Sequence, residues 1–266
     1  MAEFTAKDVQ ALRRATGAGM MDAKAALQEA GGDFDEARKI LREKGLAKAG
    51  SRADRENVQG AVAIGSADST VALVELKSET DFVAKSPDFL EVAQQLADLA
   101  ASSGEEAMRA HTGPIDDLRV TLKENIELGR SHVVQVEAGQ VVDTYLHRQD
   151  GRGVNGVVVV LDGGSKELAH DIAIHIAFAK PEYLTREQVP AEVVAEEREA
   201  LLGITKAEGK PEAAWEKIVE GRLNGWYKER VLVEQPFVRD EKQSIGQLLE
   251  AAGARVVTFA QITIGG

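Results

Sequence analysis

The side chains that could carry covalent chemistry are few and badly spaced for it. Cysteine is absent from all 266 residues, which removes thiolate nucleophiles, thiolate metal ligands and disulfides. His170 and His175 stand five apart in "KELAHDIAIHIAFAK". That spacing turns them to different faces of a helix, whereas a metal pair on one helix needs i and i+4. "GRGVNG", 151–156, fits the dinucleotide pattern G-x-G-x-x-G, but it precedes the apolar run "VVVVL" and opens no helix, so it reads as a hairpin turn. Neither a G-x-x-x-x-G-K-[ST] phosphate loop nor a G-x-S-x-G elbow occurs. The serines of "DGGSKE" and "AIGSAD" sit in turns, where they cap. No nucleophile, cofactor loop or metal set follows from these residues, which leaves contact chemistry with another molecule.

Two stretches suit that role. In "SETDFVAKSPDF", 78–89, an acid and an aromatic, Asp81 and Phe82, stand side by side between an apolar run and a helix start. Either Thr80 or Asp81 caps a turn while Phe82 and Val83 pack under the next helix, or a short rigid loop holds the aromatic and the carboxylate outward as a wedge. In "TGAGMM", Met20 and Met21 follow each other at a helix start. Both could plug a small core, since Met fills irregular gaps, but adjacent helical side chains cannot both point inward; the other reading makes one an exposed anchor.

The elements that must position these residues begin with three short helices in 1–45. Thr5 and Asp8 form a capping-box-like start, and Val9 and Leu12 give the first helix its apolar face. Ala23, Ala26, Leu27 and Ala30 turn the second helix inward until Gly31 and Gly32 stop it. Asp33 and Glu36 cap the third, whose Phe34, Ala37, Ile40 and Leu41 close the core before Gly45. The lengths and the "GDFDEA" entry resemble ubiquitin-associated (UBA) domains. A linker is expected over 46–56. The hydrophobic period then changes to that of strands. "GAVAIG", a "SADS" turn and "TVALVELKSE" make a hairpin, followed by a helix from Ser86 and Pro87 with Phe89, Leu90, Val92, Ala93, Leu96 and Leu99 inward. A helix near 116–125 and a strand "SHVVQVEA" complete a subdomain over 57–140.

The plan repeats over 141–266: strand "VVDTYLHRQ", a Gly-rich turn, "GVVVVLDGGS", then an amphipathic helix. It is interrupted over 191–227 by two helical stretches around "EGKPE", with Val194, Leu201 and Ile204 facing Trp215, Ile218, Val219 and Leu223 as an antiparallel hairpin. Strand character returns in "RVLVEQPFV" and "ARVVTFAQITI", with a short helix "SIGQLLEAAG" between them. The fold class is therefore α+β with antiparallel sheets: a UBA-like three-helix module and two similar subdomains, the second carrying the inserted hairpin.

A formal net charge of -12 repels a nucleic-acid backbone on average. The one basic run, "KGLAKAGSRADR", 44–55, suits a solvated linker better than a phosphate-binding surface. "MAEFTAKDVQALRR" lacks the pattern of a signal peptide and no window approaches a membrane span. A cytoplasmic location is expected.

Taken together, "LRRATGAGMMDAKAAL", "GDFDEA", "ETDFVAK", "KEN", "YLH", "HIA", "KPEYL", "GKPE", "KIVEGRLNGWY", "QPFV" and "IGQLL" follow one another as in bacterial elongation factor Ts, which the chain resembles over nearly its whole length. The resemblance implies a guanine nucleotide exchange factor for elongation factor Tu in translation elongation, acting by protein-protein coupling and without a cofactor or metal of its own. It implies that Thr80, Asp81, Phe82 and Val83 form the loop that intrudes beside the partner's magnesium and phosphate site. It further implies that Arg13, Met20, Met21 and His147 dock the partner. Where relatives often read "IGEN" this chain has "LKEN", which places Lys123 at a glycine position. Ala23 and Ser78 replace cysteines common in relatives. Sheet edges and a projecting hairpin leave a homodimer and a heterotetramer with the partner both open. A general adaptor built on residues 1–45 would leave Phe82 idle, and an RNA-associated factor would need a basic face.

Overall fold

The computed structural model describes residues 4–265; the first three residues of the expected N-terminal module and the last of the second subdomain lie outside them. The chain is α+β. Its contacts divide it into two units, one of residues up to 134 with 148–155 and those from 262 on, the other of 135–147 with 156–261. The two short returns to the first unit carry no composition signal. The Arg152 guanidinium donates through Nη1 to the Gly60 carbonyl at 2.7 Å and the Ile264 amide to that of Val154 at 2.9 Å, and bonds that end on backbone carbonyls are invisible in side-chain pattern.

In the first unit, α1 (Ala6–Thr16), α2 (Met20–Glu29) and α3 (Phe34–Gly50) enclose Val9, Leu12, Ala23, Ala26, Leu27, Ala37 and Leu41. The Thr5 amide donates to Asp8 Oδ2 at 2.6 Å and the Asp8 amide to Thr5 Oγ1 at 3.4 Å, which satisfies two of the donors that a helix start leaves free. The linker expected from 46 is helical up to Gly50. Gly45, read as a stop, is a contact residue: a Cβ there would lie 2.7 Å from Val120 Cγ1. Its missing side chain lets α3 lie close against the helix that carries Val120.

β1 (Gln59–Ala67) pairs antiparallel with β2 (Thr70–Ser78), Gln59 opposite Ser78 and Ala67 opposite Thr70. There follow α4 (Asp81–Ala84), α5 (Pro87–Ser103), α6 (Glu105–Ala110), α7 (Gly113–Leu122) and β3 (Glu127–Gln135), the last adding to the sheet in the order β1-β2-β3. Phe89, Ala93, Leu96, Ala97 and Ala100 of α5 pack on Ala61, Ala63, Val74 and Leu76. Each fully buried large side chain contributes about 1.5–3 kcal/mol. Several boundaries differ from the pattern. The helix expected near 116–125 is α7, α6 precedes it, and β3 starts four residues before "SHVV". Ser86 stands at the N-cap of α5 but makes no capping bond; its hydroxyl donates backward to the Val83 carbonyl at 2.8 Å. Proline at the next position has no N–H to offer.

Glu75 lies in β2 between Val74 and Leu76 and is buried. It accepts from the Arg130 amide at 3.0 Å, from Nε at 2.9 Å and from Nη2 at 3.0 Å. A Cβ on Gly129 would stand 2.5 Å from its carboxylate, so glycine makes the space. Burial alone would raise the Glu75 carboxyl, but the hydrogen bonds and charge of Arg130 hold it below its ordinary value.

In the second unit, β4 (Gln140–Gln149), β5 (Arg152–Asp162) and a final strand β8 (Arg255–Thr263) pair in the order β4-β5-β8, with the terminal residues of these strands counted in the first unit. Asp150 and Gly151, at φ 52° and 84°, make the turn between β4 and β5. "GRGVNG" is therefore turn only at its first glycine, and from Arg152 on it is strand. α8 (Lys166–Ala179) is capped by Ser165, whose Oγ accepts from the Leu168 amide at 3.2 Å, and Ala169, Ile172, Ala173 and Ile176 cover Val157, Val159 and Leu161.

α9 (Ala191–Ala207) packs on α10 (Trp215–Arg230) through Val193, Val194 and Leu201 against Leu223, Trp226 and Tyr227. Ile204, expected inward, is 50% exposed. The segment "RVLVEQPFV" is not a strand throughout. Residues 232–234 form a 3-10 turn, and only β6 (Pro236–Phe237) pairs, with β7 (Asp240–Ser244), before α11 (Ile245–Ala251). The turn is fixed by a buried polar group. His175 Nε2 donates to Gln235 Oε1 at 2.9 Å, and the Gln235 amide nitrogen donates to the Glu229 carbonyl at 2.7 Å. His170 bonds Asp143 at 2.7 Å, and the two histidines share no ligand geometry.

Candidate functional site

The residues 80–83 do not form an open loop. Thr80 is the N-cap of the one-turn helix α4, and its Oγ1 accepts from the Val83 amide at 3.3 Å. Thr80 is extended and Asp81 begins the turn, so a polar cap directly before two apolar residues fixes which way each points. Ala84 is buried and Val83 packs partly on the core. Phe82, one residue earlier, is directed the other way and is 74% exposed. Of the two readings of this stretch, Phe82 follows the presented one and Val83 the packed one.

The local chemistry keeps Phe82 and Asp81 in that arrangement. Lys85 Nζ donates to Asp81 Oδ2 at 3.0 Å and lies 4.6 Å from the centre of the Phe82 ring. A cation at that distance from an exposed ring contributes about 0.5–1 kcal/mol. The hydrogen bond from Lys85, followed by the charges of Lys85 and Arg152, holds the Asp81 carboxyl below its ordinary value. Asp81 is therefore an anion beside an exposed aromatic ring that carries the Lys85 ammonium on one face.

The base of α4 is held from below. The Glu79 and Thr80 amides donate to Glu124 Oε2 at 3.0 and 3.1 Å, and the Thr80 hydroxyl donates to Glu124 Oε1. The Asn125 amide donates to Glu79 Oε1 at 2.6 Å, while Asn125 Nδ2 donates to the carbonyls of Ala53 and Arg55 at 3.1 and 2.8 Å. Lys123 sits at φ 61° and ψ 30°, the left-handed conformation, and this ends α7 and turns Glu124 toward α4. In the sequence "LKEN" stands out for Lys123 at a glycine position, not for Glu124 or Asn125. The signal for those two is a helix end followed by an acid and an amide, residues that satisfy stray backbone groups.

Of the other expected residues, Arg13 lies exposed in the last turn of α1. Met20 and Met21 are 46% and 74% exposed at the start of α2. Neither plugs the core, because Ala23, Ala26 and Leu27 already fill that face. These three belong to the same unit as Phe82. His147 belongs to the other. It is exposed on β4, its Nδ1 3.5 Å from the Tyr145 hydroxyl and its ring stacked on that of Tyr145 at 6.5 Å. Among the described residues no group of three His, Asp or Glu could hold a metal ion, and no helix is long and apolar enough to cross a membrane.

A family model described as Elongation factor TS matches residues 79–266. Over its full length the chain is 45% identical to Elongation factor Ts of Clavibacter michiganensis, with 100% of both chains covered. It is 43% identical to that of Pseudarthrobacter chlorophenolicus, again with 100% of both covered. With Elongation factor Ts of Mycolicibacterium gilvum the identity is 45%, covering 100% of this chain and 99% of the relative.

Proposed function

Since the chain belongs to the elongation factor Ts family, we propose that it is a guanine nucleotide exchange factor for elongation factor Tu in translation elongation. On this reading it binds the GDP-bound partner and speeds release of the nucleotide, acting in the cytoplasm and performing no covalent step. The observation that carries the mechanism is Phe82, 74% exposed on a turn whose other residues are capped, paired or packed.

The wedge consists of Thr80, Asp81, Phe82 and Val83. Phe82 enters an apolar gap near the partner's magnesium and phosphate site and displaces the elements that hold the ion, since an uncharged ring cannot compete for it directly. Asp81 brings a negative charge to a region already crowded with phosphate. Arg13, Met20 and Met21 dock the N-terminal helices, and His147 makes a separate contact. Full burial of a phenylalanine side chain is worth about 1.5–3 kcal/mol, of which roughly three quarters is unspent in the free chain, so Phe82 alone supplies about 1–2 kcal/mol, or roughly 5- to 30-fold. Coupling is reciprocal: the ratio by which the factor weakens GDP binding is the ratio by which GDP weakens factor binding.

Stopped-flow release of a fluorescent GDP analogue from elongation factor Tu tests this. The wild-type chain accelerates release, and Asp81→Ala/Phe82→Ala loses most of the acceleration with its melting temperature unchanged. No acceleration by wild type would end the exchange reading; full acceleration by the double variant would end the wedge.

A further inference from the structure

The Glu124 carboxylate receives three donors, from Glu79 just before the wedge and from Thr80, its first residue: the Glu79 amide, the Thr80 amide and the Thr80 hydroxyl. Thr80 thus has its hydroxyl in two bonds at once, donating to Glu124 and accepting from the Val83 amide. One rotamer satisfies both, and it is the rotamer that caps α4. Asn125 closes the other side through its amide to Glu79 and its side chain to the carbonyls of Ala53 and Arg55. Arg55 in turn stands 3.4 Å from Glu79. Three segments remote in sequence, 53–55, 79–80 and 124–125, therefore meet in one polar clasp beneath Phe82.

A four-residue helix has little stability of its own, because one turn fixes several residues for a single intrahelical bond. Its shape must come from outside it. Side-chain packing supplies part, through Ala84 and Val83. The direction of the first turn is set at Thr80, and Thr80 is set by Glu124. Bonds from backbone N–H groups to an ionised carboxylate are shorter and about twice as strong as neutral ones.

We propose that Glu124 and Asn125 are positioning residues of the exchange reaction: they touch neither partner nor nucleotide in this role, and act by holding Thr80 so that Phe82 is presented in one orientation before contact. The inference rests on the exchange reading above. Pre-organisation of this kind lowers the ordering cost paid when the wedge inserts.

The test uses the full chain in the same GDP-release assay, run over a range of factor concentrations, with Glu124→Gln, Phe82→Ala and the double variant. Glu124→Gln keeps the shape but replaces the carboxylate by a neutral amide, which leaves one oxygen for three donors. Its maximal release rate falls by roughly tenfold, the size of one charge-assisted bond's advantage at this position, while the half-saturating concentration stays within about twofold, as expected when docking elsewhere is intact. The double variant is no slower than Phe82→Ala alone, because a misdirected residue and a missing one fail at the same step. Amide hydrogen exchange at Val83 and Ala84 quickens in Glu124→Gln. If this variant does not fold, Thr80→Val, which removes the hydroxyl between Glu124 and α4, takes its place.

A maximal rate for Glu124→Gln equal to wild type would overturn the inference alone, with the exchange reading intact. So would losses that multiply in the double variant, which would make Glu124 a contributor independent of Phe82. A wild-type chain without activity would instead overturn the exchange reading, and the inference with it.

Discussion

Lys123 occupies a conformation that its side chain opposes. At φ 61° and ψ 30°, its Cβ crowds the following carbonyl oxygen, which costs an L-residue about 1–2 kcal/mol; glycine reaches this region freely. Lys123→Gly removes that cost. Against the gain stands the larger backbone freedom that glycine gives the unfolded chain, about 0.4–1 kcal/mol. Lys123 is exposed, so its replacement opens no cavity. The net expectation is about 1 kcal/mol of added stability. For a chain of this size that corresponds to a rise of about 2–4 °C in Tm. Differential scanning calorimetry reads it, and the transition to follow is that of the unit containing residues up to 134, since two units need not melt together. Lys123→Ala is the control: it removes the same charge and keeps the strain. If glycine stabilises no more than alanine does, or lowers Tm, backbone conformation is not what distinguishes this position.

Two further outcomes follow from the packing. Gly45→Ala is destabilising by about 1–3 kcal/mol despite alanine's better helix propensity, because the added methyl meets Val120 at 2.7 Å; a rise in Tm would refute the close approach of α3 and α7. His175 is held neutral. Burial pushes its pKa below the ordinary 6.5, outweighing the hydrogen bond to Gln235, and its Nδ1 accepts from the Val238 amide at 3.4 Å. Below about pH 6.5 the unfolded chain binds a proton that the folded chain does not, so this histidine's contribution to stability is complete above that pH and is lost progressively as pH falls from there to its lower folded-state value. Thermal melts between pH 7 and 5 show a downward slope that flattens in His175→Gln; an unchanged slope in the variant would assign it to other groups.

Most of the helices could be read from period and caps. Thr5 with Asp8, Asp33 with Glu36, and the Val9, Leu12, Ala23, Ala26 and Leu27 pattern each say the same thing at two levels, and local and tertiary preferences agree there. Sequence pattern misleads where one residue has two plausible uses. Gly45 looks like a stop because glycine often is one, and only the neighbour Val120 shows that it makes room. "RVLVEQPFV" has strand composition, yet the buried Gln235 and His175 require a turn, and a hydrogen-bond partner sixty residues away leaves no periodic trace. At the candidate site the exposed Phe82 was legible as an anomaly of type and place. The clasp beneath it was not, because Glu79, Thr80, Glu124 and Asn125 are ordinary surface residues until the fold brings them together.

The pairing of buried Glu75 with the exposed guanidinium of Arg130 bears on how the first sheet avoids misassembly. Alternation along β2 puts Val74 and Leu76 on the face covered by α5 and Glu75 on the other. A one-residue slip of β2 exchanges those faces, setting the carboxylate among Phe89, Leu96 and Ala97 with no cation in reach. An unpaired buried charge costs several kcal/mol, whereas the matched pair adds little over an apolar one of equal volume. Buried Glu75 has its cation only in the observed register, so the pairing penalises the shifted sheet through the charge left unpaired there. It works as an error check on strand alignment, and the alignment it protects is that of the strand whose end leads directly into α4.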